Sequence, residues 1–87
     1  MPQITIYTKD YCPHCVKAKN LLKRKGVESS ITEIDITRDE ALMMEMISKS
    51  GGRKSVPQIF IGSTHVGGSD DLYALDAAGK LDPLLTQ

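Results

Sequence analysis

The sequence predicts a small α/β protein with the element order β-α-β-α-β-β-α, on three observations. Ile4 and Ile6 alternate with Thr5 and Tyr7 in residues 3–8, the period-two signature of a strand, and helical spacing takes over directly after Pro13. A second strand and helix repeat that succession across residues 33–50. Around Gly62-Ser63, two short segments lie close enough to pair as an antiparallel hairpin. With 87 residues, the chain is expected to form one domain spanning 1–87.

Each element has a local reason. The first strand runs straight into Cys12-Pro13-His14-Cys15, and Pro13 suits a first helical turn, where its missing N–H would have had no partner. Cys15, Ala18 and Leu22 then recur at helical spacing, Lys17, Lys19, Lys23 and Lys25 suit the wet face, and Gly26 closes the helix. Ile34 and Ile36 alternate with Glu33 and Asp35 as a second strand; Ile31 is out of phase with them, which leaves the strand's start open. Thr37-Arg38-Asp39-Glu40 has capping-box spacing, so a helix capped by Thr37 is expected, with Met43, Met46 and Ile47 as its core stripe and Gly51-Gly52 at its end. Val56 to Ile61 is apolar except for Pro57 and Gln58 and reads as the third strand, paired with Thr64 to Val66. Ser69 is the expected cap of the last helix, Asp70 and Asp71 suit its positive end, Leu72 and Leu75 give it a core face, and Gly79 stops it. Leu81, Leu84 and Leu85 are expected to fold back as a short tail.

Composition excludes several classes of function. Eleven Lys plus Arg balance eleven Asp plus Glu, so no nucleic-acid partner held by phosphate neutralisation is expected. Apolar runs fall far short of the roughly 20 residues that span a bilayer, and the first residues lack a charged, apolar export pattern. No membrane association and a cytoplasmic address are therefore the expectations. The only two cysteines are Cys12 and Cys15. Bridging them closes a loop so short that chain entropy supplies only about 2 kcal/mol and ties no distant segments together. In a reducing compartment such a pair is better read as redox-active or metal-binding than as structural.

Position decides between those two. Free N–H groups and the dipole at a helix start stabilise a thiolate, which makes Cys12 the expected nucleophile, with Lys9 adding positive charge nearby. Cys15, one turn on, can attack a mixed disulfide formed at Cys12. A Cys-x-x-Cys at a strand-to-helix junction beside a βαβ pattern reads as a thioredoxin-like redox motif. The metal reading would recruit Cys12, His14, Cys15 and His65, but His14 sits between the thiols on one turn and His65 lacks the paired spacing of zinc ligands. No metal site is expected, and His65 is read as a solvent-facing hairpin residue. Pro57 is either a plain strand-initiating proline or a cis-proline facing the cysteines, with the Val56 backbone free to pair with an extended peptide. Gly67-Gly68-Ser69-Asp70-Asp71 is either a simple loop and capped helix or a site for both ends of an amino-acid zwitterion.

Three separated motifs are Tyr7-Thr8-Lys9 leading into Cys12-Pro13-His14-Cys15, then Ser55-Val56-Pro57-Gln58-Ile59-Phe60-Ile61, then Gly67-Gly68-Ser69-Asp70-Asp71-Leu72. Together they resemble the glutaredoxins, in their small dithiol bacterial form, over nearly the whole chain. The resemblance implies a thioredoxin-like fold with a four-stranded mixed sheet and three helices. It also implies that glutathione reduces protein disulfides or is itself removed from glutathionylated proteins. No tightly bound cofactor is implied; glutathione is a co-substrate of a monomer whose partners are disulfide-bearing or glutathionylated proteins, ribonucleotide reductase among the candidates. On matching positions, Cys12 is the nucleophile, Cys15 the resolving thiol and Pro57 the cis-proline facing them. Val56 would pair its backbone with the glutathione cysteine, and Lys9 and Arg53, or Lys54 in place of Arg53, would lie near the glycine carboxylate. Gly68, Ser69, Asp70 and Asp71 would hold the γ-glutamyl end, with His14 and Ser55 completing the expected glutathione-binding set.

Three positions depart from the family pattern. His14 stands where Tyr is usual, giving the Cys-Pro-His-Cys tetrad of strongly oxidising periplasmic thiol oxidases; Ser69 stands where a third Cys is frequent, and Ser55 replaces the more usual Thr. Two alternatives remain. One is a hydrogen-donor redoxin recharged by thioredoxin reductase, against which the Ser69 to Asp71 segment argues. The other is a non-enzymatic iron–sulfur carrier using Cys12 and glutathione across a dimer, against which Pro13 argues.

Overall fold

The computed structural model of the chain describes residues 2–86. In order it contains β1 (Ile4–Thr8), α1 (Pro13–Arg24), β2 (Ile31–Asp35), α2 (Glu40–Lys49), β3 (Gln58–Ile61), β4 (Thr64–Gly67), α3 (Ser69–Ala77) and α4 (Leu81–Leu85), with a 3-10 turn at Glu28–Ser30. The strands form one sheet in the order β2-β1-β3-β4, with β1 parallel to β2 and β3 antiparallel to both its neighbours. This is the expected thioredoxin-like, four-stranded mixed sheet. Among the described residues there are four α-helices and not three: Leu81 and Leu85, four residues apart, are both buried, and burying that one face turns the expected tail into a short helix.

Both faces of the sheet are covered, which explains Ile31. Ile4, Ile6, Ile59 and Ile61 pack against Ala18, Leu21 and Leu22 of α1, Leu72 of α3 and Leu81 and Leu85 of α4. On the other face Tyr7 packs with Met46 of α2, and Ile34, Phe60 and Val56 close around them. Ile31 pairs beside Ile4 and joins the first cluster, whereas Ile34 pairs beside Tyr7 and joins the second. Both parities of the strand therefore need apolar residues, and β2 begins at Ile31.

Two helix starts differ from expectation. α2 begins at Glu40 because the Asp39 carboxylate, not Thr37, caps it by accepting the Leu42 N–H at 3.0 Å. Thr37 is occupied elsewhere: its N–H and hydroxyl donate to Asp35, and its Oγ1 accepts the Asp10 N–H at 2.8 Å. In α3 the cap is Gly68, and Ser69 is the first helical residue. The Asp71 carboxylate reaches back to accept the Gly68 N–H at 2.8 Å, the carboxylate half of a capping box.

Candidate active site

The two cysteines sit where β1 hands the chain to α1. Cys12 caps the helix in extended conformation (φ −109°, ψ 101°), its Sγ accepting the Cys15 N–H at 3.3 Å, and Pro13 occupies the first turn. Tyr11 just before it has φ +54°, a left-handed conformation, and its ring is fully exposed. Both thiols are free; Cys12 is partly exposed and Cys15 is buried. Burial, reinforced by the Cys12 sulfur, pushes the Cys15 thiol up to about 12, so it stays protonated near neutrality. One sulfur is open to an incoming disulfide and the other is shielded one helical turn behind it.

A groove of about 160 Å³ adjoins this turn. Ser55, Val56 and Pro57 form one wall; Gly68, Ser69, Asp70 and Asp71 form the other, with His14 and Arg53 completing it. The Val56–Pro57 peptide bond is cis, and the Val56 carbonyl oxygen lies 3.9 Å from Cys12 Sγ. Of the basic residues named from the sequence, Arg53 lines the groove and Lys9 and Lys54 do not. Lys9 is partly buried after β1, and its backbone N–H faces the Cys15 sulfur.

Arg53 and Asp71, expected at opposite ends of a ligand, are paired with each other. Both terminal guanidinium nitrogens lie 3.3 Å from Asp71 Oδ2. The Gly68 N–H bond, followed by Arg53, holds the Asp71 carboxyl below the usual carboxylate range. The pair is nearly half exposed, so it contributes about 0–1 kcal/mol. It crosses over Gly67, whose φ of +114° and missing side chain make room; a Cβ there would collide with the Asp71 carboxylate and sit 2.9 Å from Arg53 Nη1. Beside it the buried Ser69 Oγ has no hydrogen-bond partner among the described residues, at a helix start whose N–H groups suit an anion.

Two residues of the site's support were missed or misplaced. Gln58 is fully buried, and its Nε2 donates to the Ser55 carbonyl (2.9 Å) and Oγ (3.3 Å). His65 is not solvent-facing: it is half-buried, stacks on Phe60 (centroids 4.8 Å apart, 28° between planes) and brings Nε2 to 2.7 Å from Gln58 Oε1. The signal lay in Gln58, a polar side chain inside an otherwise apolar strand, which must find partners to be buried. Among the described residues no cluster of three or more His, Cys, Asp or Glu could hold a metal, and no helix is long and apolar enough to cross a membrane. A separate hollow of about 310 Å³, between Tyr7, Lys49 and Phe60 on the α2 face, includes neither cysteine.

A thioredoxin-like sheet that presents a Cys-x-x-Cys at its first helix start defines a thiol–disulfide redox protein. The family model described as glutaredoxin matches residues 4–66. Glutaredoxin 3 of Escherichia coli (strain K12) is 56% identical over 85 residues, covering 98% of this chain and 99% of that protein. The glutaredoxin of Pseudomonas aeruginosa is 52% identical over 86 residues, covering 99% of each. Among solved structures, the Brucella melitensis glutaredoxin superposes with a TM-score of 0.83 at 55% identity, covering 98% of this chain and 89% of that one. The buckwheat glutaredoxin–glutathione complex does so with a TM-score of 0.78 at 29% identity, covering 98% and 77%. The chain belongs to the glutaredoxin family, and thiol–disulfide redox chemistry is its function.

Proposed function

We propose that the protein is a glutathione-dependent oxidoreductase that reduces protein disulfides and glutathione mixed disulfides. The observation that carries this reading is the opening of the Cys12 turn onto a groove with the backbone leading into β3 on one wall and a charged helix start on the other. The likeness to a glutaredoxin solved with glutathione supports it.

The Cys12 thiolate attacks the glutathione sulfur of a mixed disulfide; the S–S bond breaks, the protein thiol leaves, and Cys12 is joined to glutathione. A second glutathione thiolate attacks that glutathione sulfur, releasing oxidised glutathione and the Cys12 thiolate. With a protein disulfide, Cys12 is first joined to the substrate protein; Cys15 then loses its proton and attacks the Cys12 sulfur, expelling the second substrate thiol. Two glutathiones reduce the resulting Cys12–Cys15 bond. Val56 pairs its backbone with the tripeptide beside Pro57, and Ser69 with the N–H groups of the α3 start holds the glutamyl carboxylate. Asp71 takes the glutamyl ammonium as Arg53 turns to the glycine carboxylate; His14, Ser55, Gly68 and Asp70 surround this path.

A coupled assay comparing reductants tests the reading: glutathione with its reductase should sustain turnover and thioredoxin reductase should not, and the reverse would overturn it. Asp71→Asn is expected to raise KM for a glutathionylated peptide about tenfold or more, because a charge-assisted bond contributes about 1.5–3 kcal/mol. The Asn oxygen still accepts the Gly68 N–H, so the helix cap survives and Cys12 should alkylate at the wild-type rate. Because its acidity is strengthened by folding, Asp71 contributes stability above the unfolded carboxylate range, and that contribution is lost as pH falls through its lower folded value. An unchanged KM would move the ammonium to Asp70.

His14→Tyr is expected to make the couple more reducing. His14 places an imidazole N–H beside the helix start; favouring the reduced Cys12 sulfur by one exposed hydrogen bond of about 0.5–1 kcal/mol corresponds to about 10–20 mV in a two-electron couple. Equilibration with glutathione buffers reads the difference. Identical potentials would make His14 a bystander.

A further inference from the structure

The contacts from Ser55 through Gln58 to His65 have a forced direction. The Ser55 carbonyl can only accept, so the Gln58 atom 2.9 Å from it is the amide nitrogen. The amide oxygen then faces His65 Nε2 at 2.7 Å, and since two acceptors cannot pair, His65 carries its hydrogen on Nε2. The second amide hydrogen of Gln58 lies against Ser55 Oγ at 3.3 Å, which leaves the Ser55 hydroxyl proton to point away from Gln58. Ser55 itself lines the groove.

The sheet builds this alignment. Phe60 and His65 are cross-strand partners, and Gln58, two residues before Phe60, shares their face. Stacking on Phe60 holds the imidazole, and burial of Gln58 keeps water from replacing either partner. We propose that His65 is a positioning residue: through Gln58 it holds the Ser55 loop and presents the Ser55 hydroxyl as a donor to an anionic group of the ligand. The role rests on the glutathione reading given above.

Two substitutions separate the relay from plain packing. His65→Phe keeps a ring on Phe60 and removes the donor; His65→Gln gives up the ring and keeps an N–H. With a glutathionylated peptide, His65→Phe should raise KM about three- to tenfold, the loss of one buried hydrogen bond, with kcat and Cys12 alkylation by iodoacetamide held. His65→Gln should restore KM. Combined with Ser55→Ala, His65→Phe should add nothing to the effect of Ser55→Ala alone. A wild-type KM in His65→Phe, equal impairment in the two His65 variants, or additivity with Ser55→Ala would each overturn the relay. Long-range proton–nitrogen NMR of the reduced protein reads the same alignment without any substrate: His65 should be protonated at Nε2, and a tautomer carrying only the Nδ1 hydrogen would refute it. Failure of the wild type to use the glutathionylated peptide would instead count against the glutathione reading, leaving the NMR result to decide the relay.

Discussion

Cys12→Ser is expected to abolish reduction of protein disulfides and of glutathione mixed disulfides alike, by about three orders of magnitude or more, as loss of a covalent nucleophile does. Cys15→Ser is expected to abolish the first activity and spare the second to within a few-fold. The asymmetry follows from burial. Cys12 is the partly exposed sulfur at the helix start; Cys15 is buried, protonated near neutrality and directed at its neighbour. On the proposed glutathione-dependent reaction, a glutathione mixed disulfide on Cys12 would be resolved by a second glutathione from solution and would need no internal thiol. A protein disulfide leaves a bulky partner on Cys12 that only an adjacent thiol expels efficiently. Steady-state assays of both variants with a glutathionylated peptide and with a disulfide-bonded protein decide this, and equal loss of deglutathionylation in the two would contradict the assignment.

Gly67→Ala is expected to damage stability and glutathione use together. Its φ of +114° is open to glycine and strained for alanine, at about 1–3 kcal/mol, or about 5–15 °C in Tm for a chain of this size. The added methyl also displaces the Asp71 carboxylate and Arg53, which meet over the Gly67 backbone. Gly52→Ala separates the two effects, because Gly52 has φ +101° with no atom near its missing Cβ. Gly52→Ala should lose comparable stability with KM for a glutathionylated peptide unchanged, whereas Gly67→Ala should also raise KM several-fold. The same KM in both variants would mean that the Arg53–Asp71 arrangement over Gly67 does not shape the groove.

Much of this site was legible because its chemistry is local. Cys12, Pro13 and Cys15 declare a thiol at a helix start within one turn of chain, and the two groove walls are short runs, Ser55 to Pro57 and Gly68 to Asp71, readable as a strand entry and a helix entry. Long-range consequences were less legible. Periodicity along β2 cannot show that Ile31 and Ile34 serve opposite faces until both faces are known to be covered. Thr37 has the side chain of a cap, and only the chain path, which brings Asp35 and Asp10 to it, shows that Asp39 takes that place. The pairing of Arg53 with Asp71 spans 18 residues and depends on the open space above Gly67, and the His65–Gln58–Ser55 contacts depend on cross-strand register.

A glutathione joined to Cys12 is expected to lie in the groove between Ser55–Pro57 and the start of α3. The mixed disulfide of Cys15→Ser, formed with isotope-labelled glutathione and examined by filtered nuclear Overhauser spectroscopy, tests it directly. Contacts are expected from the glutathione cysteinyl amide to Val56 and from its glutamyl α-proton to Ser69 and Asp71. A glutathione that forms the disulfide yet contacts neither wall, or that attaches elsewhere than Cys12, would contradict it.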